Sequence, residues 1–324
     1  MNKVIYDWLT FTTKIHSLSD VVDMLGLNDM HFEQARGRYC YQDRLTYSGI
    51  NIMYNGREDM GICVELSGQG CRTFETHGNG DYDLIFAMII ENWHDEAEYR
   101  QANITRLDVA YDDYDGLLDL NYFMMAAQKD EYISRCRDIE VIYSNKGCSV
   151  CHGNRLQSNV YVRMYDKKME QKREDLEHWV RCEIKLKEDT ARGFIKLGGD
   201  IRKNYFDVLN NYLRYVVPSD NNTNKSVLPS SPEWLRFVES WESVSIFDKP
   251  GQSYSLGKLS SFVTQQLSGA LTTYIDIVGM DNFVKGINEG IKHKPMNPKY
   301  KELRKQNEKA NDGIAAYLEE RGLK

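Results

Sequence analysis

From Val160 to Lys167 the stretch "VYVRMYDK" alternates apolar and polar side chains with a period of two, the repeat of a half-buried β-strand. Val160, Val162 and Met164 fall on one face, and Tyr161, Arg163, Tyr165 and Lys167 on the other. "RCEIKLK" does the same, setting Arg181, Glu183, Lys185 and Lys187 opposite Cys182, Ile184 and Leu186. "ITRLDVAYDD" does it a third time, with Arg106, Asp108 and Asp112 opposite Leu107, Val109 and Tyr111. An antiparallel sheet with one wet face alternates in this way by default, so a single such strand says little. Three strands offering tyrosine, lysine, arginines and carboxylates to one surface say more.

Periodicity along the rest of the chain predicts a first strand at "VIYDWLTFT" and a short helix at "SDVVDMLG", capped by Ser19 and ended by Gly26. Strands follow at "RLTYSGINIMYNG" and "GICVELSGQGCRTFE", then an amphipathic helix at "DYDLIFAMIIENWHDEAEYR" and the strand "NITRLDVAYDD". The order then recurs: a helix near "DLNYFMMAAQ", strands at "DIEVIYS" and "NVYVRMYDK", a helix at "KMEQKREDLEHW" and a strand at "WVRCEIKLK". The fold class is therefore α+β, a broad, mostly antiparallel sheet built from two split βαβ halves and followed by a helical C-terminal region. "IRKNYFDVLNNYLRYVV" reads as helical, and the Ser-, Asn- and Pro-rich "PSDNNTNKSVLPSSP" as a linker. The expected divisions are a catalytic domain over residues 1–217, a linker over 218–232 and helices over 233–324.

Composition narrows the function. The 324 residues, 41% of them apolar, can bury a large core. The longest apolar run, "LIFAMII", is far too short to cross a membrane, and the N-terminus meets Asp7 before any apolar run develops, so a cytoplasmic location is expected. The formal net charge is −7, with the acids concentrated before residue 136 and a slight basic excess after it, so any contact with nucleic acid has to be local. "CSVCH" has the spacing that attaches c-type haem, but no export signal accompanies it and no second C-x-x-C completes a zinc site. Reduced thiols in a cytosolic fold account for the seven cysteines.

The polar face suggests metal-assisted phosphodiester transfer. Paired carboxylates hold a hard divalent cation such as Mg²⁺ or Mn²⁺, which polarises a phosphate and helps to ionise a phenol whose free pKa is about 10. The phenolate then attacks, and lysine or arginine stabilises charge on the phosphoryl oxygens. "LSGQGCR" contains G-x-G but lacks the rest of any nucleotide-binding signature, so its glycines are read as a tight turn that leaves Arg72 available to a DNA phosphate.

"DWLTFT", "VELSGQGCRTFE", "TRLDVAYDDYDG", "HGNRLQSNVYVRMYDKKMEQ" and "WVRCEIKL", in this order from about residue 5 to 215, resemble the Rep_trans family of rolling-circle replication initiation factors and relaxases of mobile elements. The resemblance implies a tyrosine that breaks one DNA strand at an origin, stays joined to the 5′ phosphate and frees a 3′ hydroxyl. It matches Tyr165 to that nucleophile with Lys167 beside it, keeps Tyr161 in reserve, and implies Asp108 and Glu183 as ligands of Mg²⁺ or Mn²⁺, with Glu65 as a further candidate. Arg72, Arg106, Arg163 and Arg181 become candidates for DNA contact. The implied partners are an origin, a recruited host helicase and a second copy of the chain, and the basic C-terminal helices become candidates for reading duplex DNA beside the nick. There is no H-x-H pair, so histidine is not expected to hold the cation. The competing reading is a non-catalytic DNA-binding regulator on the same scaffold.

Overall fold

A computed structural model describes residues 2–96, 98–145, 147–219, 225–238 and 268–293. By its contacts the chain divides into Met1–Asp248 and Lys249–Lys324. In the first unit the chain runs β1 (Lys3–Thr13), α1 (Leu18–Met24), β2 (Glu33–Arg36), β3 (Asp43–Tyr47), β4 (Ile50–Tyr54), β5 (Ile62–Leu66), α2 (Gly68–His77) and α3 (Tyr82–Glu91). It continues through β6 (Ala102–Asp113), α4 (Leu120–Gln128), β7 (Tyr132–Ser134), β8 (Ile139–Ser144), β9 (Gly147–His152), β10 (Val160–Asp166), α5 (Lys167–Gln171) and β11 (Val180–Lys187). The helices α6 (Glu188–Ile195) and α7 (Ile201–Tyr212), the strand β12 (Leu213–Tyr215) and the helix α8 (Pro232–Val238) complete it.

Ten strands form one antiparallel sheet in the order β2-β3-β4-β5-β1-β6-β11-β10-β9-β8. The order has two matching halves that meet at the long β1–β6 pair. Each half is a strand, a helix, a four-stranded antiparallel meander and a pair of helices, so the expected duplication is present, but β6 opens the second half instead of closing the first and neither half is a split βαβ unit. Along β6, β10 and β11 the apolar side chains alternate onto the helix-covered face. Leu9, Phe11, Val64, Leu107, Val109, Ile184 and Met164 lie with Phe74, Ile89, Phe123, Phe206 and Phe237 from the helices in one continuous buried cluster. The opposite face of the central strands carries the polar side chains. Burial at about 25 cal/mol per Å² on the apolar face is what obliges the charges to share the other one.

Several elements differ from expectation for local reasons. Helix α1 is capped by Ser17 rather than Ser19: Asp20 N donates to Ser17 Oγ at 3.2 Å and Ser17 N to the Asp20 carboxylate at 2.8 Å, a reciprocal pair that satisfies two orphan donors. The predicted strand through "GQGCRTFE" stops at Leu66, where Ser67 caps α2 and turns Cys71 and Phe74 into the core. The second glycine of "SGQG" is needed for close approach, since a Cβ on Gly70 would stand 2.3 Å from the Gly49 carbonyl oxygen. The helix expected through "KMEQKREDLEHW" is only α5, because Lys172 turns left-handed at φ 53° and the polar segment after it offers no apolar stripe to bury. The helix expected through "ENWHDEAEYR" ends at Glu91, and the predicted helix after Tyr212 becomes β12, which pairs with β7. Polar β2 and the cysteine-bearing β9 were not anticipated as strands.

That last strand settles the meaning of "CSVCH". Cys151 and His152 are buried within the fold, and His152 Nε2 lies 2.8 Å from the Tyr215 hydroxyl. Burial pulls the imidazole down to about 3, so it stays neutral as a core side chain.

Val216 bridges to Ser230, and Trp234 and Phe237 of α8 pack on Phe123 and Tyr215, so the chain beyond the expected linker returns to the first unit. In the second unit the described residues form α9 (Ser268–Val278) and α10 (Met280–His293), joined at Gly279, with Tyr274 edge-on to Phe283. Residues 239–267 and the basic stretch beyond His293 lie outside the described residues. Among the described residues no helix is long and apolar enough to cross a membrane. Trp234 is fully buried, and its Nε1 donates to Asn210 at 3.2 Å. Trp234→Ala should therefore cost about 3–5 kcal/mol in urea unfolding; an unchanged midpoint would detach α8 from the core.

Candidate active site

The three alternating strands are neighbours, in the order β6, β11, β10. Their register sets Lys185 opposite Asp108 and Tyr161, Glu183 opposite Ala110 and Arg163, and Arg181 opposite Asp112 and Tyr165. Ala110 has almost no side chain, so Glu183 and Asp108 stand diagonally across a gap.

Tyr165 is only 3% exposed, and its hydroxyl donates to Glu183 Oε2 at 3.3 Å. Lys167, the first residue of α5, donates from Nζ to the same phenol oxygen at 3.4 Å and also pairs with Glu170. The Arg163 guanidinium covers the phenol ring at 4.1 Å and donates to Ser149 Oγ at 3.1 Å. Burial and the Glu183 charge push the phenol far above its ordinary value, against an opposing pull from Arg181. Tyr161 faces the same side but has no carboxylate partner; burial raises it, and its hydroxyl is paired with Cys151.

Glu183 is raised to about 7, first by burial and then by the charges of Asp108 and Asp7. Asp108 is raised by burial, although Arg106 grips it with both arms of its guanidinium, Nε to Oδ1 at 2.9 Å. Arg106 in turn lies 4.0 Å over the Trp8 ring. Arg181 is buried; its Nε and Nη2 donate to the two oxygens of Asp112 at 2.7 and 2.8 Å, and its Nη1 meets Asp7 Oδ2 at 2.9 Å. Trp179 Nε1 closes on Asp112 at 2.7 Å.

Asp7 was not singled out from the sequence as a site residue. It sits at a bulge in the β1–β6 pairing between Tyr6 and Trp8, and an extra residue of that kind re-aims side chains. The signal was present as the one charge inside the apolar strand "VIYDWLTF". Glu65 belongs to the other half of the sheet, where Tyr39 Oη at 2.9 Å, Asn51 Nδ2 at 3.2 Å and Arg38 at 3.7 Å surround it. The site therefore does not gather Glu65 with Asp108 and Glu183. Two arginines expected to meet DNA are committed elsewhere: Arg72 to the Tyr6 carbonyl at 2.5 Å and Glu75 at 2.6 Å, and Arg181 to its buried carboxylates.

The donors suit a hard divalent cation in kind. Asp108 is buried and Glu183 half-buried, and the Asp108 charge raises the proton affinity of Glu183, a repulsion that positive charge relieves. As the side chains stand, no three metal-ligating groups are gathered together among the described residues.

Three comparisons bear on this arrangement. Residues 3–89 match the rolling-circle replication initiation protein N-terminal domain, and residues 102–289 match Rep_trans, the replication initiation factor. The chain is 26% identical over 270 residues to the putative DNA relaxase NicK of Bacillus subtilis (strain 168), covering 76% of this chain and 74% of that one. A rolling circle replication initiator protein from Geobacillus stearothermophilus superposes with a TM-score of 0.67 at 29% identity, covering 76% of this chain and 98% of the other. Matched across both halves of its sheet and through the strands that carry Tyr165, Asp108 and Glu183, the chain belongs to the replication initiation factor family.

Proposed function

We propose that this chain nicks one DNA strand at an origin, with Tyr165 as the nucleophile. The observation that carries the reading is the Tyr165 hydroxyl held between Glu183 and Lys167. The phenol oxygen attacks phosphorus, its proton leaves along the hydrogen bond to Glu183, and the bond from phosphorus to the 3′ oxygen breaks. The departing 3′ oxygen takes a proton from water and is left as a free hydroxyl, while the 5′ phosphate stays on the tyrosine. Lys167 and Arg163 offset charge on the phosphoryl oxygens. A phosphotyrosine conserves the energy of the broken diester, so a 3′ hydroxyl can reverse the step without ATP.

Asp108 and Glu183 are the residues that would hold Mg²⁺ or Mn²⁺. When bound, such an ion supplies positive charge to the phosphate and favours the phenolate. Arg163, Lys167 and Arg106 are the cations that meet DNA, whereas Arg181 and Arg72 hold the scaffold. The region 233–324 reads duplex DNA beside the nick, the partners are an origin, a host helicase and a second copy of the chain, and the protein acts in the cytoplasm.

Tyr165→Phe removes only the nucleophilic oxygen. With a 3′-labelled single-stranded origin oligonucleotide and Mn²⁺, the wild type should form an SDS-stable adduct that EDTA prevents and Tyr165→Phe abolishes, while origin affinity stays within about threefold on a phenol-to-benzene change. A persisting adduct transfers the role to Tyr161. Full binding without any wild-type adduct on oligonucleotides tiled across the element favours the non-catalytic regulator. Lys167→Met should slow adduct formation about 10- to 100-fold, read as single-turnover rates, by leaving phosphoryl charge unmatched.

Glu183 carries a pH signature too. Its folded carboxyl stands near 7 against an ordinary 4.5, so the folded state keeps a proton that the unfolded chain has lost between those values. Stability from this group is therefore lost as pH rises through that window, on the order of 3 kcal/mol. In EDTA, Glu183→Gln should be more stable than wild type at pH 8 and show little difference at pH 4.5, measured by urea unfolding. Added Mn²⁺ should stabilise the wild type at pH 8 and not the variant.

A further inference from the structure

The loop between β9 and β10, "GNRLQSN", carries the most exposed large apolar side chain among the described residues, Leu156 at 82%. An exposed leucine alone means little. What distinguishes this one is how firmly its backbone is held. Asn154 Oδ1 accepts from Leu156 N at 2.9 Å and from Gln157 N at 3.0 Å, and Asn154 N and Ser158 Oγ close the loop at 2.8 Å. From β11, the strand of Glu183, Lys187 Nζ reaches the Leu156 carbonyl at 2.6 Å and Lys185 Nζ the Arg155 carbonyl at 3.0 Å. Two lysine side chains have given up their rotamer freedom to fix a loop whose tip stands exposed.

Leu156 stands on the rim of an open cavity of about 620 Å³, which it lines together with Arg106, Asp138, Glu140, Arg155, Tyr161 and Lys185. Tyr161 lies on the same strand and face as Tyr165, four residues away, or about 13 Å at strand rise. The cavity thus opens within a few nucleotides of the phosphate that Tyr165 would attack. Its lining offers donors for ring nitrogens and carbonyls (Arg155, with the N–H groups that Arg106 and Lys185 do not spend on Asp108 and the Arg155 carbonyl) and acceptors for exocyclic amines (Asp138 and Glu140). These are the groups that read a base edge.

We infer that Leu156 is a wedge that unstacks a base of the origin strand beside the scissile phosphate, and that the displaced nucleotide enters the cavity between Tyr161, Lys185 and Arg106. The inference rests on the reading of Tyr165 as the nicking residue. Apolar wedges separate base steps at a cost of a few kcal/mol, and a polar pocket that hydrogen-bonds the freed base offsets it. A wedge on a mobile loop would lose that return to ordering entropy, which gives the lysine braces their purpose.

The test uses the full chain and two origin substrates, one with the nick site base-paired in a hairpin and one single-stranded. 2-Aminopurine placed at successive positions should brighten at one position near the nick in the hairpin when wild-type protein binds. Leu156→Ala should lose that signal and lower the ratio of adduct rates, hairpin over single strand, about tenfold. Leu156→Phe, which keeps an apolar tip, should retain both, and a mismatch at the brightening position should restore the ratio for Leu156→Ala. An unchanged ratio and signal in Leu156→Ala, or no brightening with wild type, overturns the wedge while leaving the nicking reading intact. A wild type with no adduct even on the single strand overturns the Tyr165 reading, and the wedge with it.

Discussion

Arg181 binds three strands at the back of the candidate site. From β11 its guanidinium takes both oxygens of Asp112 on β6 and one oxygen of Asp7 on β1, all beneath the polar surface. A buried ion pair of this kind adds little net stability compared with an apolar replacement, but removing one partner leaves an uncompensated charge that costs about 3–5 kcal/mol. Its consequence is positional. The register it shares with the β6–β11 and β10–β11 ladders puts Tyr165 opposite Arg181 and Glu183 one step along, so the phenol meets a carboxylate that Arg181 does not neutralise. Burial first, and then the charges of Asp108 and Asp7, raise Glu183 against the opposing pull of Arg181 and Lys167.

The duplicated architecture shows how specialised this corner is. Counting outward from the paired Trp8 and Asp108, Glu65 on β5 and Glu183 on β11 occupy matching places, opposite Thr10 and Ala110. Glu65 faces Asn51 where Glu183 faces Arg163, and Met53 opposite Cys63 stands where Tyr165 stands opposite Arg181. The first half therefore keeps a buried carboxylate but surrounds it with hydrogen bonds from Tyr39 and Asn51 and an ion pair with Arg38. Both halves set a phenol on the glutamate, Tyr39 on Glu65 and Tyr165 on Glu183, but Lys167 reaches the phenol oxygen in the second.

An acidic chain that works on DNA has to concentrate its positive charge. Arg106, Arg163, Lys167, Lys185 and Lys187 all stand on one face of β6, β10 and β11 or at the start of α5. Burial and the neighbouring Arg106 lower Lys185 to about 8, so this lysine is held less firmly charged than a free one. With the two loop-bracing lysines drawn towards the β9–β10 turn, Arg163 and Lys167 are the cations nearest the phenol.

The period-two alternation of "VYVRMYDK", "RCEIKLK" and "ITRLDVAYDD" determined by itself which side chains share the polar face, because burying the apolar set forces the polar set to the other side. The order of elements pointed to a duplication without its four-stranded meanders, and the family motifs marked Tyr165, Lys167, Asp108 and Glu183. Only the tertiary structure decided which strands are neighbours and in what register, hence that Tyr165 meets Glu183, that Arg181 is a buried brace, and that Glu65 lies in the other half. Asp7 shows the reason most plainly. A single aspartate in an apolar strand has no periodic partner to announce it, and its place beside Arg181 arises from a bulge against a strand about a hundred residues away, a non-local pairing that no window of sequence contains.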